Sequence, residues 1–251
     1  MSSALSGHLR HSNVKKVIFS APPKDSQVSQ YIIGVNHQDY KANEKVISNS
    51  SCTTNCLAPL VEVIDKIFGI EEALFSTVHA ITASQNCVDS AAKGSGNNVR
   101  LSRSAIQNII PSTTGAAKSL SAVLPQMTEG KITGTSIRVP VVDVSLLELT
   151  VRFTNSCDIP SLGAAIKGAA NSYGRGIIDV TTDFPVSSDF IGDSRSCIVD
   201  LYATTFLNDK FAKITCWYDN EMAYAHRLID LCMYVNEVDS RDEPVQMLTD
   251  L

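Results

Sequence analysis

The feature that most constrains the fold is a strand–turn–helix unit around residue 52. Lys45–Asn49 (KVISN) is a short, β-branched run that predicts a buried strand, and a polar cluster of serines and asparagine follows it. Apolar residues then recur at the spacing of one helix face, namely Leu57, Leu60, Val61, Ile64 and Phe68. Gly69 is a suitable helix stop, and Pro59 falls where we expect the early turns. Cys52 therefore lies where a strand ends and a helix begins.

Other segments predict an alternation of strands and helices. Strands are expected at Lys15–Ala21, Tyr31–Val35, Ala73–Ile81, Leu147–Phe153 and Phe211–Trp217. Helices are expected from near Pro160 and from about Glu221 to Val235. Ser84–Asn108, with its Gly/Asn-rich patch Lys93–Asn98, reads as a long irregular loop, and the acidic segment Asn236–Leu251 as a frayed tail.

Composition narrows the classes of partner and compartment. The chain has 251 residues, 44% of them hydrophobic, which is enough to bury a sizeable core. Its 26 acidic and 21 basic residues give a net charge of −5, which argues against a nucleic acid or an anionic membrane as the main partner. The seven cysteines are irregularly spaced and include no Cys-x-x-Cys, which favours reduced thiols. Because the N-terminus lacks an apolar signal segment and no run could span a membrane, a cytoplasmic protein is expected.

Cys52 and His79 are the candidate reactive pair. Free N–H groups and the positive end of the helix dipole would stabilise a thiolate at Cys52, and an imidazole at the end of a neighbouring strand could serve as its base. A small buried cysteine and a hydrogen-bonded core histidine are the plainer alternatives. Zinc binding by Cys52, Cys56 and His79 is less favoured because a fourth ligand at suitable spacing is missing.

Several motifs, in order along the chain, resemble those of phosphorylating glyceraldehyde-3-phosphate dehydrogenases. They are ISNSSCTTNCLAPL (Ile47–Leu60), TVHAIT (Thr77–Thr82), NIIPSTTGAAK (Asn108–Lys118), RVP (Arg138–Pro140) and WYDNE (Trp217–Glu221). The resemblance extends from about Lys15 to Met233. It implies an α/β fold, in which a partial Rossmann-like nucleotide-binding region accompanies an α+β catalytic domain with a mixed or antiparallel sheet.

The resemblance also implies the roles of individual residues. Cys52 would attack the aldehyde of glyceraldehyde 3-phosphate, with His79 as the base, and inorganic phosphate would cleave the resulting thioester. Thr82 and Arg138 match the family's ligands for the substrate phosphate, and Ser51, Thr53, Thr114 and Gly115 match those for the attacking phosphate. Asn220 matches the residue that orients the nicotinamide of NAD, and Tyr224 lies nearby. A homo-oligomer, or a hetero-oligomer with full-length subunits, is expected.

The sequence departs from the family at the cofactor site. It contains no glycine-rich turn between a strand and a helix; Gly94-Ser95-Gly96 is the nearest match, with Val99 where a third glycine would stand. We therefore expect most of the NAD-binding domain to be absent from this chain. The expected domains are a nucleotide-binding region at 1–51 joined by the helix 221–236, a catalytic domain at 52–220 and an acidic tail at 237–251. A non-catalytic homologue or partner subunit remains the alternative to an enzyme.

Overall fold

The computed structural model describes residues 7–24, 26–91, 99–128 and 130–242. Its strands are β1 Val17–Phe19, β2 Ser29–Gln30, β3 Val46–Ser48, β4 Ile70–His79, β5 Ile110–Thr113, β6 Ile132–Arg138, β7 Ser145–Phe153, β8 Ile178–Thr181, β9 Cys197–Asn208 and β10 Phe211–Tyr218. Its longer helices are α1 Cys52–Phe68, α2 Ala116–Val123, α3 Ile159–Ala170 and α4 Met222–Asp242. Short 3-10 turns lie at His37–Asp39, Val99–Ser102 and Ser187–Phe190.

The strands form two sheets. A small parallel sheet has the order β1-β3-β2, and a seven-stranded sheet has the order β5-β6-β4-β7-β10-β9-β8. In the larger sheet β4 is parallel to β6 and β8 to β9, whereas the other neighbouring pairs are antiparallel. The predicted α/β class with a mixed sheet is therefore confirmed.

Helix α1 connects the two sheets and carries the residues around Cys52. The Ser51 side chain caps it by accepting a hydrogen bond from the Thr54 amide at 3.1 Å, and Gly69 ends it with a φ of 69°. Its apolar face, including Leu57, Leu60 and Ile64, is completely buried in the main core, together with residues from the inner face of the large sheet. This packing fixes the start of α1, and with it Cys52, against the sheet.

Helix α4 returns to the N-terminal sheet. Its Leu231 and Val235 pack in a second core cluster with Tyr31, Tyr40 and Ile47. The Tyr40 hydroxyl donates a hydrogen bond to Asp239 at 2.9 Å. The chain's first and last described elements thus form one packed unit. Among the described residues, none of the helices combines the length and the apolar character needed to cross a membrane.

Three local predictions need correction. Tyr31–Val35 is a buried turn and not a strand, because Asn36 Oδ1 accepts from the Ile32 amide at 2.8 Å and Gly34 adopts a φ of 84°. Pro59 lies inside α1, because the helix begins at Cys52. The frayed tail predicted from Asn236 is wrong as far as Asp242, since α4 continues to that residue, and 243–251 lie outside the described residues. The patch Lys93–Asn98 also lies outside them.

Gly134 should be the glycine least tolerant of a side chain. It pairs with Phe75 across β6 and β4, and a Cβ there would lie 2.5 Å from the Phe75 carbonyl oxygen and 2.6 Å from its ring. Gly134→Ala should therefore lower the free energy of unfolding by about 3 kcal/mol, measured by urea denaturation. Gly168→Ala, in the exposed part of α3 with open space around its Cβ, is the matched control and should raise it by about 0.5–1 kcal/mol. Equal effects of the two substitutions would contradict this account.

Candidate active site

The turn before α1 sets the position of Cys52. Ser50 adopts a φ of 58°, which is unusual for a residue other than glycine, and its amide donates to the Ser48 hydroxyl at 2.9 Å. Asn55 Nδ2 donates to the carbonyls of Asn49 and Ser51, at 2.8 and 2.9 Å. These bonds turn the chain sharply from β3 into the helix. Cys52 is consequently the first helical residue and is half-buried, as the strand–turn–helix pattern predicts.

His79 meets Cys52 from the end of β4. Its Nε2 lies 3.6 Å from Cys52 Sγ, within hydrogen-bonding distance for sulfur. On the other side of the ring, Nδ1 lies 2.8 Å from the Ala80 carbonyl oxygen. Nδ1 is therefore contacted from two sides, by the Ala80 carbonyl, which can only accept a hydrogen bond, and by the Arg138 guanidinium at 2.7 Å, which can only donate one. Nε2 is the ring nitrogen that faces the thiol.

Arg138 is the cation closest to this pair. It lies opposite His79 in the parallel pairing of β4 and β6, and its Nη1 is 2.7 Å from His79 Nδ1 and 3.3 Å from the Ala80 carbonyl oxygen. Its Nε is buried and has no hydrogen-bond partner among the described residues. The guanidinium therefore retains donor capacity for an anion.

Burial favours the neutral forms of both Cys52 and His79. Burial raises the pKa of the Cys52 thiol, and the Thr53 amide, the Thr53 hydroxyl and the Arg138 charge oppose that rise only in part. Burial and the Arg138 charge lower the pKa of His79 to about 4, although the hydrogen bond to the Ala80 carbonyl acts to raise it. The helix terminus alone predicts a lowered pKa for this thiol, whereas the net shift is upward because burial disfavours the charged form. A histidine of lowered pKa is neutral at pH 7 and can accept a proton.

The depressed pKa of His79 should make the fold sensitive to acid. Between pH 6.5 and about 4 the unfolded chain binds a proton at this histidine that the folded chain does not, so stability should fall as the pH falls. The loss should be on the order of 2 kcal/mol, measured by urea denaturation at pH 7 and pH 4.5. Arg138→Gln removes the repelling charge and should make the loss smaller. An unchanged loss in that variant would exclude Arg138 as a cause.

Asn220 and Tyr224 lie at the start of α4, beside the same turn. Asn220 is buried, and its Oδ1 accepts a hydrogen bond from the Ser145 hydroxyl at 2.7 Å. The Tyr224 hydroxyl donates to the Ser50 carbonyl at 3.0 Å, and burial raises the pKa of that phenol. The end of β10 and the first turn of α4 are thus held against the residues that precede Cys52.

The arrangement agrees with the comparisons with known proteins. Residues 51–220 match the family described as glyceraldehyde 3-phosphate dehydrogenase, C-terminal domain. The chain belongs to the glyceraldehyde-3-phosphate dehydrogenase family. It is 50% identical to the cytosolic glyceraldehyde-3-phosphate dehydrogenase of Pisum sativum over 91% of this chain and 65% of that protein. It is 49% identical to the cytosolic one of Antirrhinum majus over 92% of this chain and 66% of that protein. The chain thus spans about two thirds of the length of these relatives.

Residues that match the family's phosphate ligands are only partly brought together. Ser51 and Thr53 flank Cys52, but Ser51 caps α1 and the buried Thr53 hydroxyl bonds to that of Tyr218 at 3.0 Å. Thr82 lies in the loop after β4, where its hydroxyl is 3.0 Å from that of Ser84. Of this set, Arg138 is the residue in direct contact with His79.

Thr114 and Gly115, the remaining phosphate candidates of the glyceraldehyde-3-phosphate dehydrogenase pattern, form a separate turn. They join β5 to α2, with the exposed Gly115 at the N-cap of that helix and the Thr114 hydroxyl 3.2 Å from the Ala116 amide. The antiparallel register runs away from Arg138, since Ile110 pairs with Arg138 and Thr113 with Thr135. Their part in binding phosphate stays a prediction.

Sequence reasoning missed two buried side chains that connect the site. Ser145 contacts both Asn220 and the Ala80 amide, and Tyr218 links Thr53 to the edge of the His79 ring, with ring centroids 6.0 Å apart. The Tyr218 signal was present, because this residue belongs to the WYDNE motif. Ser145 gave no signal, since an isolated serine at a strand start resembles any other. Among the described residues, no group of three or more His, Cys, Asp or Glu is arranged to hold a metal ion.

The nicotinamide end of a dinucleotide fits the residues present. Both polar atoms of the Asn49 side chain, and the Ser50 hydroxyl, are buried without a partner at full hydrogen-bond geometry in the described part of the chain, although the Tyr224 hydroxyl approaches Asn49. They belong to the turn that Tyr224 contacts, between the small sheet and Cys52. Buried polar atoms of this kind are expected to acquire partners, which a polar ligand with a carboxamide and a ribose could supply.

Proposed function

We propose that this chain carries the chemistry of an NAD-dependent, phosphorylating dehydrogenase of glyceraldehyde 3-phosphate. The observation that carries the proposal is the contact of 3.6 Å between Cys52 Sγ and His79 Nε2 at the N-terminus of α1. A half-buried thiol, an imidazole within hydrogen-bonding distance of it and a cation alongside are groups that aldehyde oxidation through a thioester requires.

In the proposed reaction Cys52 is the nucleophile and His79 the base. His79 Nε2 takes the thiol proton as Sγ bonds to the aldehyde carbon, and the imidazolium is stabilised by the Ala80 carbonyl at Nδ1. The backbone N–H groups at the start of α1 face the developing oxyanion. As the oxyanion collapses, the former aldehyde carbon loses hydride and becomes the thioester of Cys52; NAD, when bound, would supply the hydride acceptor. The Cys52 thioester is then cleaved by inorganic phosphate, which yields an acyl phosphate and restores the thiol.

The phosphate groups are proposed to bind beside Arg138. Thr82 and Arg138 would hold the substrate phosphate, and Ser51, Thr53, Thr114 and Gly115 the attacking one. A phosphate on the guanidinium would draw it away from His79 Nδ1 and partly neutralise its charge. Because that charge lowers the pKa of His79, anion binding would raise this pKa and make His79 a better base when substrate is present.

Asn220 and Tyr224 are proposed to hold the nicotinamide end of NAD. In this reading, residues 1–51 and the helix 221–236 form the nucleotide-binding part, and 52–220 the catalytic domain. The packing of Leu231 and Val235 against Tyr31, Tyr40 and Ile47 supports the first grouping. The Asn220 side chain and the turn at Asn49 and Ser50 supply polar groups between the nucleotide-binding part and the catalytic domain.

Assembly and location are further parts of the proposal. The large sheet's face opposite α1 and α3 bears ion pairs such as Lys213–Glu148 and Arg152–Glu72, and Leu74 is 61% exposed on it. A sheet face of this kind suits an interface with a second copy or a longer family member. Since both relatives named above are called cytosolic, a cytoplasmic location is part of the proposal.

The purified chain should reduce NAD in the presence of glyceraldehyde 3-phosphate, and the rate should depend on added inorganic phosphate. NADH formation followed at 25 °C with and without phosphate tests both points. If the chain alone forms no NADH although Cys52 is alkylated faster than the exposed Cys87, the enzyme proposal fails for this chain by itself. Activity that appeared only on mixing with a full-length relative would then favour a partner subunit.

A further inference from the structure

We infer that Ser145 is a positioning residue that holds the His79 end of β4 and the Asn220 amide in one buried hydrogen-bond network. The inference deepens the proposed function, because it gives the His79–Cys52 pair and the Asn220 amide a common support. It rests on contacts that none of the family motifs includes, since Ser145 lies between RVP and WYDNE in the sequence.

The hydroxyl of Ser145 both accepts and donates a hydrogen bond. Ser145 is completely buried at the first position of β7, and its Oγ accepts a hydrogen bond from the Ala80 amide at 3.1 Å. The same hydroxyl donates to Asn220 Oδ1 at 2.7 Å. A single side chain thus joins the residue after His79, on β4, to the residue that begins α4 after β10.

Each contact has a consequence for the site. Because Oδ1 of Asn220 is held inward by Ser145, the Nδ2 group is turned away from it, toward Glu221 Oε1 at 3.4 Å, and remains available as a donor. Because Ala80 is tied through its amide, its carbonyl is fixed 2.8 Å from His79 Nδ1. This contact holds the orientation of the imidazole ring whose Nε2 lies 3.6 Å from Cys52 Sγ.

Strain next to Ser145 indicates that its placement is enforced. Val144 is buried and adopts a φ of 66°, in a region that β-branched residues rarely enter. The Val144 amide is satisfied by its neighbour's carboxylate, Asp143 Oδ1, at 2.7 Å. The left-handed backbone conformation at Val144 comes directly before β7, in which Ser145 pairs with Tyr218. This register directs the serine side chain to Ala80 and Asn220.

The test compares Ser145→Ala with Ser136→Ala. Ser136 is a matched control because it is also buried on a strand and accepts a hydrogen bond, from the Thr77 hydroxyl at 2.8 Å, but contacts neither His79 nor Asn220 in the described hydrogen bonds. The first readout is the pH profile of iodoacetamide alkylation of Cys52, followed by mass spectrometry of its peptide in the ligand-free chain. The second is the KM for NAD against the KM for glyceraldehyde 3-phosphate.

Ser145→Ala should slow Cys52 alkylation at pH 7 by about tenfold and shift its pH profile to higher pH, whereas Ser136→Ala should stay within about twofold of the parent. It should also raise the KM for NAD more than the KM for the aldehyde. A lower melting temperature with an unchanged pH profile and unchanged KM values would overturn the inference, because that outcome describes a purely structural serine.

An isosteric pair separates folding from positioning. Ser145→Thr and Ser145→Val have the same shape and differ in one hydroxyl, so any packing damage is shared. Thr should retain the parent's alkylation profile and Val should lose it; identical profiles would overturn the inference. Alkylation needs no cofactor, so a shifted profile in a chain that never reduces NAD would sustain the role of Ser145 while the proposed function failed. If the chain is active and Ser145→Val keeps the parent's alkylation profile, this inference is wrong while the proposed function stands.

Discussion

Replacing Cys52 by alanine should lower the rate of NADH formation by at least about 10⁴-fold, the largest effect of any single substitution in this chain. The thiol is the atom that bonds to the aldehyde carbon, and no neighbouring side chain can substitute for it. Cys56, one helical turn later, is completely buried in the core. Its thiol has a raised pKa because of that burial. Loss of Cys52 therefore leaves no accessible thiol among the described residues at the start of α1.

The measurement is the steady-state rate with saturating aldehyde, NAD and phosphate. Cys87→Ala is the control, because Cys87 is an exposed free thiol outside the site and should leave the rate within about twofold. Urea denaturation should show that both variants fold. If Cys52→Ala retained a rate within tenfold of the parent, the thioester mechanism would be wrong for this chain, whatever the family resemblance implies.

The sequence predicts the elements of the fold that local patterns determine. The helical spacing from Leu57 to Phe68, with Ser51 before it and Gly69 after it, specifies α1 almost completely. Tyr31–Val35 was mistaken for a strand because its apolar run is locally indistinguishable from one. Asn36 lies just beyond this run, and its side chain bonds to the Ile32 amide and the Gln30 carbonyl, backbone groups that a neighbouring strand would otherwise pair. The pattern also underestimates the length of α4, because Asp239 in its last turns accepts a hydrogen bond from Tyr40, which is distant in sequence.

The sequence predicts the residues of the site better than it predicts their contacts. Cys52 and His79 are named by the motifs, but their contact depends on how α1 packs on β4, and no spacing rule gives that. The place of Arg138 follows from a parallel register between β4 and β6 that only the folded sheet reveals. For Cys52, the argument from the helix dipole predicts a lowered pKa, whereas burial raises the pKa of this thiol, because that argument leaves out desolvation.

Replacing His79 by glutamine should lower the rate of NADH formation by about 10²–10⁴-fold, less than the loss of Cys52 but more than the loss of Ser145. Glutamine can donate or accept a hydrogen bond near Sγ, yet it cannot take the thiol proton at neutral pH. The thioester should therefore form only as fast as solvent removes that proton. The rate of the variant should rise steadily with pH toward the pKa of the thiol, without the contribution of a base of lower pKa.

The control for this substitution is His37→Gln. His37 also has a pKa lowered by burial, but it packs against Tyr234 on α4, away from Cys52. That variant should keep the parent's rate and pH dependence. Both rings lie beside a tyrosine, but the ring of His79 also has a thiol within hydrogen-bonding distance. If His79→Gln and His37→Gln had equal effects, the loss would come from disturbed packing, and His79 could not be the base. If His79→Gln alone slowed turnover and its residual rate increased with pH, proton transfer to Nε2 would be the step that this histidine provides.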